Sequence, residues 1–120
     1  MHILRVVTLA VAAVTVAGCT ASLRTAPPAA DGCDQALIRG QLLPSAQSGL
    51  ALRAGDGGVV EVLWPFGYTA RRGVSGIELV GRKGEALARE GDVIEAAGGT
   101  GNDGVFVVCE GTVQVVPKPG

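Results

Sequence analysis

Histidine is almost absent from this sequence. His2 is the only one among 120 residues, and it lies directly before the apolar run at the N-terminus. The rest of the chain therefore has no Ser-His or Cys-His pair for nucleophilic catalysis and lacks the commonest zinc ligand. The sequence predicts no catalytic residue, no metal site and no cofactor.

Regions of one charge sign are also lacking. The chain carries 10 basic and 11 acidic residues, for a formal net charge of −1, and the two signs are interspersed. Nucleic-acid binders concentrate positive charge on one face or along one helix. We therefore expect no nucleic-acid partner.

No apolar run is long enough to favour a membrane-spanning helix. The N-terminal run covers residues 3–17, whereas a spanning helix needs roughly 18 apolar residues or more. It leads into Val16-Ala17-Gly18-Cys19, which resembles the lipobox of bacterial lipoprotein signal peptides. The resemblance implies that a diacylglycerol group is attached to the Cys19 sulfur and that a peptidase cuts before this residue. An ordinary cleaved secretion signal and a retained span stay open as alternatives.

The lipobox resemblance also implies a location. A lipidated Cys19 would anchor the protein to the cell membrane on its extracytoplasmic face. Thr20 follows the cysteine, in the place where an aspartate would resemble a retention signal. In a cell with two membranes we therefore expect the outer one.

Composition divides the chain into four parts. Residues 1–18 form the lipoprotein signal peptide, and residues 19–32 are rich in alanine and proline, which predicts a flexible tether. Residues 33–117 form one small domain, and residues 118–120 are a tail. With Cys19 lipidated, Cys33 and Cys109 are the remaining cysteines, and an oxidising compartment favours a disulfide between them. Two free buried thiols are the alternative.

Short apolar or alternating segments separated by glycine fill the domain. This pattern is typical of all-β domains, with a turn about every 8 to 12 residues. The clearest strand is Val59–Trp64, and Gly55–Gly58 predicts a tight hairpin before it. The last two strands, residues 105–110 and 112–116, are expected to pair with each other around Gly111. We predict a small closed or partly open, OB-like β-barrel, with a compact β-sandwich as the alternative.

One glycine-rich stretch resembles a metal-binding repeat. Residues 98–106 match the nine-residue calcium motif of β-roll proteins. Such sites form between stacked copies, and this chain has a single copy. An ordinary loop between strands is the better interpretation.

Aromatic side chains are scarce, and most of them fall in one segment. Aromatic residues make up 3% of the chain, and the segment from residue 64 to residue 72 also contains two adjacent arginines. Aromatics and arginine are enriched in binding hot spots. The candidate binding surface consists of Trp64, Phe66, Tyr68, Arg71 and Arg72. The alternatives are that Trp64 and Phe66 fill the core, or that Trp64 is buried while Tyr68 and the arginines stay at the surface.

The same segment carries a second resemblance. Trp64-Pro65-Phe66-Gly67-Tyr68 is followed by a hairpin, by Glu90-Gly91-Asp92-Val93 and by Gly98-Gly99. This arrangement, over residues 59–99, is similar to that of small bacterial lipoproteins. The resemblance implies no particular activity.

These observations lead to one expected function and two alternatives. We expect a lipid-anchored cell-envelope protein whose small barrel is a non-catalytic binding module. Its partners would be the membrane, through the lipid anchor, and an envelope protein or a wall glycan. A carboxylate-dependent hydrolase and a structural lipoprotein of a larger assembly are the alternatives.

Overall fold

The computed structural model describes residues 20–28 and 33–118. Within these ranges the chain forms strands and turns and contains no helix, which confirms the all-β prediction. The strands, in chain order, are β1 (Thr20–Ala21), β2 (Ala36–Ser45), β3 (Gly49–Arg53), β4 (Val59–Val60), β5 (Val62–Leu63), β6 (Thr69–Gly73), β7 (Gly76–Val80), β8 (Ala86–Arg89), β9 (Val93–Thr100), β10 (Phe106–Val108) and β11 (Gln114–Val115).

The larger sheet has seven strands and is nearly closed. Its order is β4-β3-β2-β9-β10-β5, with β11 also pairing to β9. The two outer strands, β4 and β5, are halves of one extended segment: β4 pairs antiparallel with β3, and β5 pairs parallel with β10. Joining both edges through one segment leaves little unpaired edge backbone. The sheet is therefore barrel-shaped, and together with a second, four-stranded sheet (β1-β6-β7-β8) it is compatible with a small barrel or a sandwich.

The predicted strand over residues 59–64 is interrupted at Glu61, where the segment passes from one edge of the sheet to the other. The Glu61 carbonyl accepts a hydrogen bond from the Phe106 N–H at 2.9 Å. Its carboxylate accepts hydrogen bonds from the hydroxyls of Ser45, at 2.6 Å, and Ser48, at 2.5 Å. We call residues 59–64 together with Ser45 and Ser48 the barrel seam.

The seam satisfies its buried polar groups internally. Ser48 is fully buried, and its hydroxyl both donates to Glu61 and accepts a hydrogen bond from the Val62 N–H at 2.9 Å. Burying a polar group without a partner is costly, so this double use of one hydroxyl stabilises the closed seam.

Trp64, at the end of the seam, is the largest fully buried side chain. Its Nε1–H donates to the Leu50 carbonyl at 2.9 Å, which satisfies the polar end of the ring inside the core. The ring joins a cluster contributed by both sheets, made of Leu42, Leu50, Leu52, Val62, Trp64, Tyr68, Ala70, Ile77, Leu79, Ala88, Ile94, Ala96, Phe106 and Val108.

Residues 20–26 lie along the barrel, and we call them the N-terminal strap. β1 pairs antiparallel with β6. Further along, Arg24 and Ala26 exchange backbone hydrogen bonds with Ser48 and Trp64, at 2.8 to 3.1 Å. The sequence analysis assigned residues 19–32 to a flexible tether; the structure instead holds residues 20–26 on the domain, because their backbone groups find partners on the seam and on β6.

Cys33 and Cys109 form the predicted disulfide. Their Cα atoms are 5.6 Å apart and they are separated by 76 positions in sequence. Cys109 follows β10, where its N–H donates to the Ala97 carbonyl at 2.8 Å. The bridge therefore ties the beginning of the domain to the end of β10 and the middle of β9.

The expected pairing of the last two strands is wrong. β10 pairs with the end of β9, and β11 pairs with the beginning of the same strand, at Ile94 and Glu95. Thr112 explains the difference: its hydroxyl accepts a hydrogen bond from the Ala97 N–H at 3.1 Å and donates to the Cys109 carbonyl at 2.8 Å. These bonds hold the chain beyond Gly111 against β9, so both strands add to one edge of it.

Candidate functional site

A cleft of about 680 Å³ opens beside the disulfide. It lies between the end of the strap, the turn after the seam and the β7–β8 turn. The residues of interest in its lining are Pro27, Pro28, Cys33, Asp34, Phe66, Arg82, Cys109 and Glu110. We call it the disulfide cleft.

An aromatic ring and a guanidinium group stack at the rim of the disulfide cleft. The Arg82 guanidinium carbon lies 5.6 Å from the centre of the Phe66 ring, within range of a cation–π interaction. Phe66 remains 42% exposed. The pair thus presents an apolar surface and a positive charge together, at a place where a ligand can reach both.

Gly67 allows this stacking. Its φ of +83° is in the left-handed region, and a Cβ at this position would lie 2.9 Å from the Arg82 Cγ. A larger residue would be strained and would displace the arginine. On the other side, Arg82 is presented by the β7–β8 turn, where the Gly84 N–H donates to the Gly81 carbonyl at 3.0 Å.

Two carboxylates complete the disulfide cleft. Asp34 and Glu110 both line it and both are exposed. A Cβ on Gly99 would lie 2.5 Å from Asp34 Oδ2, so a glycine in β9 makes room for this side chain. Ionised carboxylates only accept hydrogen bonds, whereas Arg82 only donates them. The cleft therefore offers acceptors, a donor and an aromatic face to one ligand.

A second cleft, of about 700 Å³, shares Arg82 and Glu110 with the first. We call it the tyrosine cleft, because Tyr68 forms part of its wall. Tyr68 is only 5% exposed, and its hydroxyl accepts a hydrogen bond from the Gly111 N–H at 3.4 Å. Burial raises the pKa of Tyr68 above its ordinary value, the bond from Gly111 opposes this, and the nearby Glu110 charge adds to it.

The five predicted surface residues do not form one surface. Trp64 is in the core, Phe66 is at the rim of the disulfide cleft, and Tyr68, which the intermediate interpretation left at the surface, is buried. Arg71 and Arg72 are exposed on β6 and line neither cleft. Tyr68 is buried because the turn at Phe66 and Gly67 directs it back toward the core cluster.

Sequence reasoning did not single out three residues of the disulfide cleft. Arg82 was part of a predicted hairpin turn, and Asp34 and Glu110 stand beside the two bridging cysteines. The usable signal was the disulfide itself, since a bridge between Cys33 and Cys109 brings their neighbours Asp34 and Glu110 to one place. Nothing local indicated that the Arg82 turn folds over Phe66.

The stretch with the calcium motif is the hairpin between β9 and β10. Asp103 Oδ1 accepts a hydrogen bond from the Val105 N–H at 3.1 Å, and the Gly101 N–H donates to the Val105 carbonyl at 2.9 Å. Among residues 20–28 and 33–118, no three histidine, cysteine or acidic side chains are grouped in a way that would hold a metal ion. The same ranges contain no helix with the length and apolar character needed to cross a bilayer.

Comparison with protein-family models finds no match for this chain, and comparisons with curated proteins and with solved structures find none either. Cys19, the predicted lipidation site, lies outside the described residues.

Proposed function

We propose that this protein is a lipid-anchored component of the bacterial cell envelope whose domain binds a ligand in the disulfide cleft without transforming it. The observation that carries the proposal is the half-exposed Phe66 ring under the Arg82 guanidinium. A small domain with few aromatics gains most by burying them, as it does with Trp64 and Tyr68. An aromatic side chain left accessible in a cleft, next to an arginine, is typical of a binding contact.

The chemistry of the cleft favours a wall glycan as the ligand. A sugar ring can stack on the Phe66 face, its hydroxyls can donate to Asp34 and Glu110, and its carbonyl or hydroxyl oxygens can accept from Arg82. The cleft is open and mixed in polarity, which suits an extended polymer better than a small apolar molecule. An extended segment of an envelope protein is the other partner that this chemistry admits.

Binding is favoured over hydrolysis by the surroundings of the carboxylates. A hydrolase of this class needs one carboxyl group that keeps its proton near neutral pH, usually because it is buried among apolar groups. Asp34 and Glu110 line one cleft, but both are exposed to solvent. This arrangement supports acceptor roles toward a ligand.

The anchor proposal rests on the lipobox pattern and on the disulfide. Val16-Ala17-Gly18-Cys19 ends one residue before the first described residue, Thr20. A long-range disulfide such as Cys33–Cys109 is expected where the environment is oxidising, outside the cytoplasm. We infer the extracytoplasmic face of the cell membrane, and the outer membrane in a cell with two.

The lipid anchor is tested by intact mass. Protein purified from the membrane fraction should begin at Cys19 and carry the mass of a diacylglycerol group, and Cys19→Ala should lack this mass. An unmodified mature protein beginning elsewhere would contradict the anchor and leave the cleft proposal standing.

The cleft is tested by sedimentation with purified, insoluble wall glycan. Phe66→Ala and Arg82→Ala should each weaken retention about tenfold, the effect of losing roughly 1.4 kcal/mol of contact. Arg53→Ala is the matched control, since Arg53 is an exposed arginine that lines neither cleft. Equal retention of all three variants would contradict glycan binding in this cleft. A photo-crosslinker at Phe66 that captures one envelope protein in living cells would assign the cleft to a protein ligand.

A further inference from the structure

We infer that the turn between β6 and β7, with Val74 at its tip, contacts the lipid bilayer beside the anchor, so that the domain sits directly on the membrane in one fixed orientation. This inference rests on the proposed lipidation of Cys19. We call residues 72–75 the membrane turn.

The first step is the direction in which the strap enters the domain. In β1, Thr20 pairs with Arg71 and Ala21 pairs with Ala70, antiparallel to β6. The N-terminal end of β1 therefore points toward the turn that joins β6 to β7. Residue 19 is bonded directly to Thr20, so their Cα atoms are about 3.8 Å apart. No spacer separates the predicted acylation site from the β6 edge of the small sheet.

The second step is the distance from this point to the tip of the membrane turn. Val74 follows Arg71 by three positions, or about 10 Å of extended chain. The headgroup region on each side of a bilayer is roughly 5 to 7 Å thick. A tip this close to the acylated residue can reach the headgroups while the acyl chains of residue 19 enter the hydrocarbon core.

The third step is the chemistry of the membrane turn. Val74 has a relative exposure of 107%, the highest of any large apolar side chain in the described ranges. It lies at the tip of a strand hairpin, where Gly73 pairs with Gly76. A fully exposed valine has no contact to make within the domain, and partitioning it into the interface removes it from water.

Charge near the membrane turn suits a surface of anionic lipids. Arg72 is exposed and forms no ion pair within the described ranges, whereas Arg71 is paired with Glu78 at 2.6 Å. Glu90, which also lies at this end, accepts a hydrogen bond from the Ile77 N–H at 3.2 Å. Arg72 is thus the guanidinium left available for a lipid phosphate.

A labelled cysteine at the tip tests the inference. Val74→Cys would carry a single free thiol, because Cys19 is acylated and Cys33 is bonded to Cys109 under the proposal. The full lipidated protein is labelled with an environment-sensitive fluorophore and reconstituted into vesicles of equal parts phosphatidylcholine and phosphatidylglycerol. We expect a several-fold rise in emission, a blue shift, and quenching by lipids that carry a spin label near the headgroup.

Leu37→Cys is the matched control. Leu37 is also an exposed apolar residue, at 78%, but it pairs with Ala97 on β9. β9 begins at Val93, directly after the turn from β8, and β8 pairs with β7. Val93 lies about 13 Å from Ala97 along β9, so residue 37 is farther from the membrane turn. The label at residue 37 should keep its aqueous spectrum. Adding Arg72→Glu to the Val74 label should reduce quenching on the anionic vesicles more than on phosphatidylcholine alone.

The outcomes separate the inference from the proposed function. If Cys19 is acylated and the protein floats with the vesicles, an aqueous spectrum at residue 74 overturns the inference and leaves the anchor intact. Equal quenching at residues 37 and 74 also overturns the fixed orientation. If Cys19 carries no lipid, both the proposed lipid anchor and the membrane contact of the turn are contradicted. The melting temperature of each labelled variant should match that of the parent, since both positions are exposed.

Discussion

The barrel seam and the rim of the disulfide cleft contain similar residues, but the seam buries and pairs its polar groups whereas the rim exposes them. The seam has an aromatic, a carboxylate and hydroxyls, and its buried polar atoms are paired inside the protein: Trp64 with Leu50, and Ser48 with Glu61 and Val62. The rim has Phe66 and two carboxylates, and these face solvent. The polar groups of the seam are therefore satisfied within the fold, whereas those of the rim stay accessible to solvent.

Replacing each of the two aromatics by alanine should have very different effects on stability. Trp64→Ala should lower the free energy of unfolding by about 4 to 5 kcal/mol, because it leaves a cavity and an unpaired Leu50 carbonyl. If that variant does not fold, Trp64→Phe should lose about 2 kcal/mol. Phe66→Ala, on the rim, should stay within about 0.5 kcal/mol of the parent in the same urea titration. Comparable losses at the two positions would show that the rim is part of the core.

The disulfide lines the cleft and should nevertheless stabilise the domain. Replacing Cys33 and Cys109 together by alanine should lower the free energy of unfolding by about 4 kcal/mol, since the 76-position loop no longer restricts the unfolded chain. Denaturation of the parent protein in reducing buffer should reproduce the shift. A parent whose denaturation midpoint is the same with and without reductant would argue that the bridge does not form in the native protein.

Ser48 tests the polar side of the seam. Ser48→Ala should cost about 2 kcal/mol, because the buried Val62 N–H loses its acceptor and Glu61 loses a donor. Ser75→Ala, in the exposed β6–β7 turn, is the control and should change little. Thermal melts followed by circular dichroism would measure both. A neutral Ser48→Ala would mean that water replaces the hydroxyl.

Tyr68 lies between core and cleft and should give the smallest effect, visible only at high pH. Its pKa is raised in the folded protein by burial. The fold therefore favours the neutral phenol, and this stabilisation is complete below the unfolded pKa of about 10 and is lost as pH rises through the folded value.

An absorbance titration reports on Tyr68 alone, because it is the only tyrosine in the chain. Ultraviolet absorbance of the tyrosinate should titrate above the value of the urea-unfolded protein. Tyr68→Phe should remove the tyrosine share of the loss in stability at alkaline pH. A folded titration at or below the unfolded one would place the hydroxyl in water, on the cleft side.

The sequence pattern predicted the fold class and the disulfide. Glycine-separated apolar segments indicated the all-β class, and the two bridging cysteines were paired correctly. β6 contains Arg71 and Arg72, which the sequence analysis placed in a candidate binding surface and not in a strand. Its place depends on pairing with β7, where Arg71 meets Glu78, and on a strap that comes from far upstream in the chain.

The amino-acid pattern alone was enough to predict the all-β class and the disulfide, because these depend on glycine-separated apolar segments and on which cysteines are present. The lipid anchor stays a prediction. Only the tertiary structure decided that Trp64 and Tyr68 are buried while Phe66 is exposed, and that Arg82 stacks on Phe66. It alone also decided that residues 20–26 lie on the barrel. These outcomes depend on which distant backbone groups form hydrogen bonds when the sheet closes. Local sequence composition does not predict those long-range pairings.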